Sequence, residues 1–360
     1  MSNVVYINSE NATKDQWKLL AQYAYPTNIV RYLQQHAFAG SEKLVEYIAG
    51  CFRQSEAYFT AAEDSPIDIS PLLQYYGAAT LLAGASALVQ GDQLPIKEHG
   101  MTLNATDIRR VADAQVTPRR NGALQQFASI FSIGCRFVNG EPWTLEEIFG
   151  SIPDLKQDFE DCYQQAVPYT IPVEIVKRDR GSLERIAIEE LRRFRAPDDA
   201  LTNVENLRQA YLVPELTNQY VILRRRIESS EIGTYSLFNQ KHLQVAHSKK
   251  GQKLTPSQVM SLFMGMFSLG FLSRYHPEFW NPFVRSDQTG ELLLVEKFIA
   301  VCQRYFANLV LNEIQKSRIQ FVNKTKGILD LSTPQPTKPA TKSRVKDYIS
   351  ITGVSKNDVS

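Results

Sequence analysis

The sequence predicts a mainly α fold with a small inserted antiparallel β-sheet (α+β) and two buried central helices. Three stretches predict it: apolar runs of helical length at 69–91 and 255–275, and an alternating segment at 169–175 between them.

The first third reads as helices at 14–22, 26–36 and 41–62, the last with Leu44, Ile48, Phe52 and Phe59 near helical spacing. Asp64, Ser65, Pro66 and Asp68 break that pattern. Ser70 ahead of Pro71 is then a helix start, a capping hydroxyl before a proline whose missing N–H costs nothing in the first turn. The apolar helix that follows stops at Gly91. No charge falls between Ile69 and Gly91, a length sufficient to span a bilayer. Gln74, Thr80, Ser86 and a run of Ala and Gly lower its hydropathy, and no Lys or Arg flanks it closely, so it reads as a core helix and no membrane segment is expected.

Beyond a loop holding Pro95 and His99-Gly100, Asn104 or Thr106 would cap a short helix. Thr144 and Glu147 form a capping box, with Trp143 and Ile148 at staple positions; Gly150 and Pro153 close that helix, and another follows over 154–166. Tyr169, Ile171, Val173 and Ile175 alternate with polar or proline positions, the period of a half-buried strand, and Pro172 favours an edge. A charged amphipathic helix is expected over 182–194 and a second pair of strands at 218–227 and 234–238.

Thr255-Pro256-Ser257-Gln258 opens the second apolar helix with a capping box and a proline at the first position. Its body from Val259 to Tyr275 is apolar nearly all round, as a central helix is, and Pro277 stops it. A last helix runs from Glu291 to about Gln320. From Ser332 the chain is proline-rich and polar, a linker, and ends in RVKDYISITGV, a segment apolar enough to dock. The organisation is thus a helical region at 1–167, a small β-containing insert at 168–250, a helical region at 251–330 that packs on the first, and a Pro/Lys/Thr linker and tail at 331–360.

Forty Lys and Arg against 38 Asp and Glu leave a formal charge of +2, so no overall field selects nucleic acid, an anionic membrane or an acidic substrate. Cys51, Cys135, Cys162 and Cys302 never form a C-x-x-C pair, which argues against a zinc site or a disulfide framework and for reduced thiols. The opening MSNVVYINSENATKDQW lacks the features of a signal or transit sequence, so the expected location is cytoplasmic. Phosphate-binding loops, dinucleotide turns, nucleophile elbows and zinc-protease helices are all missing from the sequence, and no cofactor and no metal is expected. His242 and His247, five apart, would stand about 140° apart round a helix and could not share a metal there.

The sharpest candidate for chemistry is Arg274-Tyr275-His276-Pro277-Glu278, where a cation, an imidazole and a carboxylate emerge at the end of a buried helix. Cations at a helix C-terminus also complement its dipole, which gives the same residues a structural reading. His99 in its loop is a third candidate. Arg31 and His36 match the loose R-x4-H pattern of HEPN ribonucleases, with Tyr32 in place of the polar residue usual after the arginine. Arg224, Arg225 and Arg226 are a candidate phosphate-binding cluster for nucleic acid, alongside 177–180 and 192–195, although interleaved acids also suit a solvated face.

Taken together, SPLLQYYG (Ser70 to Gly77), EHGM (Glu98 to Met101), WTLEEIFGSIPDL (Trp143 to Leu155) and SRYHPEFW (Ser273 to Trp280) resemble the YaaC-like family of bacterial proteins, in order and spacing, over roughly 37–320. The resemblance implies a bacterial cytosolic setting and a distant likeness to the helical HEPN group, many of whose members serve toxin and phage-defence systems. Two functions are therefore expected. One is an interaction or regulatory subunit of a multi-protein system, with a protein partner engaged through the 331–360 tail. The other is a metal-independent, HEPN-like ribonuclease using Arg and His, with imidazole as general acid or base.

Overall fold

The computed structural model describes residues 3–132, 137, 140–165, 170–178, 181–192, 215–224, 234–237, 240–244, 256–323 and 327–328. Strand β1 (Asn3–Asn8) precedes α1 (Ala12–Ala21), which Asn11 caps by accepting Lys14 N, and α2 (Pro26–Gln35) follows a short 3-10 turn. Helix α3 (Glu42–Glu63) starts where the Ser41 hydroxyl accepts Leu44 N at 3.2 Å. Helix α4 (Ser70–Gln90) is the first apolar run. Ile69, not Ser70, is its N-cap, and Ser70 and Pro71 are its first two residues; Gly91 ends it in the left-handed conformation at φ +69°.

The segment expected to hold a short helix near Asn104 is instead a three-stranded antiparallel sheet of β2 (Met101–Asn104), β3 (Gln115–Pro118) and β4 (Trp143–Thr144), in order β2-β3-β4. Helix α5 (Ala123–Phe131) interrupts it, an element the sequence reading does not include. The capping box is present: Thr144 Oγ1 accepts Glu147 N at 3.1 Å and Glu147 accepts Thr144 N at 2.9 Å, opening α6 (Leu145–Phe149). Helix α7 (Lys156–Tyr163) follows.

Among the described residues the inserted sheet has six strands, in order β7-β8-β6-β5-β10-β9, and every pairing between them is antiparallel. Its members are β5 (Thr170–Arg178), β6 (Gly181–Ala187), β7 (Glu215–Leu216), β8 (Tyr220–Leu223), β9 (Thr234–Tyr235) and β10 (Lys241–Gln244). The first half of the helix expected at 182–194 is strand β6, and among the described residues its helical part is α8 (Ile188–Arg192). Pairing on both sides, with a cross-strand Arg185–Glu174 ion pair at 2.7 Å, overrides the charged helical pattern. The pair of strands expected at 218–227 and 234–238 is present as β8 and β9, which do not pair with each other: β8 lies between β7 and β6, and β9 pairs β10. β5 is an interior strand, yet Pro172 sits where it pairs β10 alone, because the ladder to β6 starts at Glu174. Lys241, fully buried, meets Glu184 across the sheet at 2.8 Å.

Helix α9 (Gln258–Tyr275) is the second apolar run. It starts later than Thr255: Ser257 is the cap, its backbone N–H donating to Ser132 Oγ at 2.9 Å while its hydroxyl accepts Met260 N. That tertiary bond fixes the start at Ser257. Pro277 ends α9 and at once begins α10 (Pro277–Ser286), with His276 as the shared cap. Helix α11 (Glu291–Gln315) stops at Lys316, and the residues expected to prolong it form β11 (Ser317–Asn323), parallel to β1 and antiparallel to β12 (Gly327–Ile328).

The two apolar helices pack on each other at the centre, as their composition predicts, with α3 and α11 against them. Small residues set the distances: a Cβ on Gly265 would lie 2.3 Å from the Phe298 ring, and one on Gly270 would lie 3.1 Å from Leu72 Cα at the start of α4. A buried carboxylate ties the periphery to this core. Glu291 accepts Val111 N at 2.6 Å, Ala112 N at 3.3 Å and the Tyr163 hydroxyl at 2.7 Å, while burial holds its pKa above the usual carboxylate value. Among the described residues α4 is the one helix long and apolar enough to cross a membrane, and most of it is buried inside the fold. The tail at 331–360 lies outside the described residues.

Candidate functional site

The close approach of α9 to the start of α4 leaves a pocket of about 270 Å³ beside it. Tyr75 and Tyr76 of α4 form one wall, Phe267, Phe271 and Arg274 of α9 the second, and His99 with β2 the third. Tyr75 is the inner surface: its ring centre is 5.4 Å from Phe267, edge-on, and 5.6 Å from His99. Its hydroxyl and His99 Nδ1 share a hydrogen bond of 2.6 Å. Burial, reinforced by Tyr76, pushes the Tyr75 phenol far above its ordinary pKa, so it keeps its proton. Arg274 Nη1 donates to the Tyr76 hydroxyl at 2.8 Å, and its guanidinium lies 4.9 Å from the centre of the Tyr275 ring.

Backbone hydrogen bonds also hold the loop that presents His99. Ala123 N donates to Glu98 O at 2.9 Å and Leu124 N to His99 O at 3.2 Å, so the first turn of α5 closes on these carbonyls. Gly100 and Gly122 cross at φ +72° and +114°, and a Cβ on Gly122 would lie 2.5 Å from Gly100 Cα. Both positions therefore require glycine, for conformation and for space. Across the rim formed by His99, Met101 and Thr102 opens a groove of about 610 Å³ that carries Arg119 and Arg120.

The candidate residues thus separate. His99 and Arg274, 175 positions apart in sequence, line one pocket. His276 caps α10 instead: its carbonyl accepts Phe279 N and Trp280 N, and its Nδ1 stands 3.2 Å from Glu278. His36 ends α2, stacked 4.2 Å from Tyr32 with Nδ1 on the Tyr32 carbonyl, and Arg31 is exposed on the same helix. Arg224 is gripped by both carboxylate oxygens of Glu215, at 2.8 and 3.0 Å; Arg225, Arg226, His247 and Cys135 lie outside the described residues. His242 lies in strand β10, not on a helix, and is buried. Burial also raises the thiols of Cys51 and Cys162 to about 11, which keeps them from acting as thiolates. Among the described residues no three His, Cys, Asp or Glu side chains could hold a metal ion together.

Tyr75, Tyr76, Arg119 and Arg120 are not among the site residues expected from sequence, although the two tyrosines fall in one of the segments that carry the family resemblance. The fold turns the paired tyrosines towards His99 and Arg274. Ser70 to Gly77, Glu98 to Met101 and Ser273 to Trp280, three of the four segments that carry the family resemblance, meet at this pocket. The profile of the YaaC-like protein family matches residues 6–314, nearly the whole described chain. The chain belongs to that family. The match begins earlier than the resemblance read from the motifs and takes in α1 and α2. No curated protein matches this YaaC-like chain, and no solved structure does.

The fourth segment of this YaaC-like protein has a joining role. Ser151 Oγ donates to Ser261 Oγ on α9 at 3.0 Å, and Asp154 accepts Leu237 N at 2.7 Å from beside β9, so Trp143 to Leu155 links the six-stranded sheet to the central helices.

Proposed function

We propose that this YaaC-like protein is a regulatory subunit that reads a small planar anion in the pocket between α4 and α9, in a multi-protein system of the bacterial cytosol of the kind that serves phage defence. The observation that carries the reading is the convergence of Arg274 and His99 with five tyrosine and phenylalanine rings on one cavity whose lining, among the described residues, holds no carboxylate, serine or cysteine. Aromatic walls favour a flat ligand, and an arginine with no acid beside it in the lining favours a negative one. The partner is a protein engaged by the apolar segment at 344–354, carried on the proline-rich linker.

A second reading, a metal-independent ribonuclease, is supported by the Tyr75–His99 bond. A phenol on Nδ1 orients the imidazole and leaves Nε2 to act on a substrate, with Arg274 nearby for a phosphate.

One experiment separates them. Tagged full-length protein is purified natively from its host, denatured, and the released small molecules identified by mass spectrometry. In parallel, labelled RNA is incubated with wild type, His99→Gln and Arg274→Gln. The regulatory reading expects a planar anionic compound from wild type, lost from Arg274→Gln, and no RNA cleavage by any form. Cleavage by wild type that His99→Gln abolishes establishes the ribonuclease instead. Release of the same compound from Arg274→Gln removes the pocket from the account.

A further inference from the structure

The pocket holds a ring system and little more, so what lies beyond its rim decides what class of ligand it serves. At about 270 Å³ it falls at the lower edge of small-molecule sites. The adjoining groove shares His99, Met101 and Thr102 with it, so a ligand leaving the pocket past His99 enters the groove directly. Arg119 and Arg120 stand there, both exposed, and among the described residues neither forms a salt bridge. Among the described residues Glu98 is the only acid in the groove lining.

The backbone holds Arg119 in place. Arg119 N donates to Gly100 O at 2.8 Å, and Gln125 Nε2 donates to Arg119 O at 3.3 Å. The glycine crossing fixes this stretch against His99. The neighbouring start of α5 offers an anion little, because its first two N–H groups are spent on Glu98 O and His99 O. Anion recognition in the groove therefore falls to the two guanidinium groups, whose forked donors suit a phosphate.

We propose that the pocket and the groove form one bipartite site for a nucleotide, with the base against Tyr75, Phe267 and Phe271 and the phosphate on Arg119 and Arg120. His99 stands at the junction. Stacking on aromatic rings is how single-stranded bases are held, and charge-assisted bonds to arginine hold their phosphates. The same chemistry is offered by a free nucleotide and by the terminal nucleotide of an RNA strand. This inference rests on the pocket being a ligand site.

The test is isothermal calorimetry on the full-length protein with AMP, GMP, CMP and UMP, the four matching nucleosides, and a tetraribonucleotide with and without a 5′-phosphate. At least one nucleotide should bind about tenfold or more tighter than its nucleoside, the gain expected of a charge-assisted bond. The surface variant Arg119→Ala/Arg120→Ala should lose that advantage while its nucleoside affinity stays within about twofold of wild type. Preference for the phosphorylated tetranucleotide over every mononucleotide assigns the site to an RNA end, and the reverse assigns it to free nucleotide. Equal binding of nucleosides and nucleotides, or a phosphate advantage that survives in the double variant, overturns the groove assignment and leaves the pocket reading standing. Failure of all these probes overturns the nucleotide; the pocket reading then stands or falls on whether Arg274→Gln changes the compound released from native protein.

Discussion

An imidazole buried in a sheet keeps its proton only at a cost, and His242 is such a group. It is 3% exposed in β10, and burial, with Lys156 nearby, lowers its pKa to about 4. Because the unfolded chain takes up this proton near pH 6.5 and the folded one does not, the contribution is complete above 6.5 and is lost as the pH falls towards 4. Thermal melting followed from pH 7.5 to 4 should show a steeper acid loss in wild type than in His242→Leu, by up to about 3 kcal/mol; parallel profiles would exclude the residue. At this scale the sequence exposes single residues but not their company. Arg274 and His276 look like a unit because they are neighbours, yet two positions at a helix end are about 200° apart, and they face different partners. Arg274 bonds Tyr76, almost two hundred residues away, and no local spacing encodes that meeting.

Elements were legible where the chemistry of their ends is local. The Thr144–Glu147 box and the Gly91 stop depend on residues within one turn, and both stand where the sequence places them. The start of α9 and the identity of β6 depend on Ser132 and on neighbouring strands, and both were misread. Alternation in β6 is blurred by its charges, which is why helical spacing won. The apolar helices also show why their composition mixes glycine with large rings: Gly265 makes room for Phe298. Gly265→Ala places a methyl group on that ring, and urea unfolding should show a loss of about 1–3 kcal/mol. Combining it with Phe298→Leu should recover part of that loss, with a coupling of at least about 0.5 kcal/mol; strict additivity would mean the two positions do not touch.

At the scale of the molecule, the helical majority, the central pair and an antiparallel insert follow from hydrophobic patterning, but long-range pairings do not. β1 and β11 lie side by side in parallel although more than three hundred residues separate them, and two short strands of that kind carry no mutual signal. The same holds for the pocket, which exists only because α4, α9 and the loop before β2 meet. That origin has a thermodynamic consequence. Tyr75 and Phe267 belong to the two helices at the centre of the core, so the cavity disappears when the protein unfolds, and any occupant is linked to the folding equilibrium by mass action. A compound at a hundred times its dissociation constant adds about 2.7 kcal/mol. A rise in melting temperature across a panel of planar anions, absent in Arg274→Gln, would therefore report the ligand without an assay for activity. The protein serves as its own indicator, because the helices that make it stable are the helices that would hold its signal.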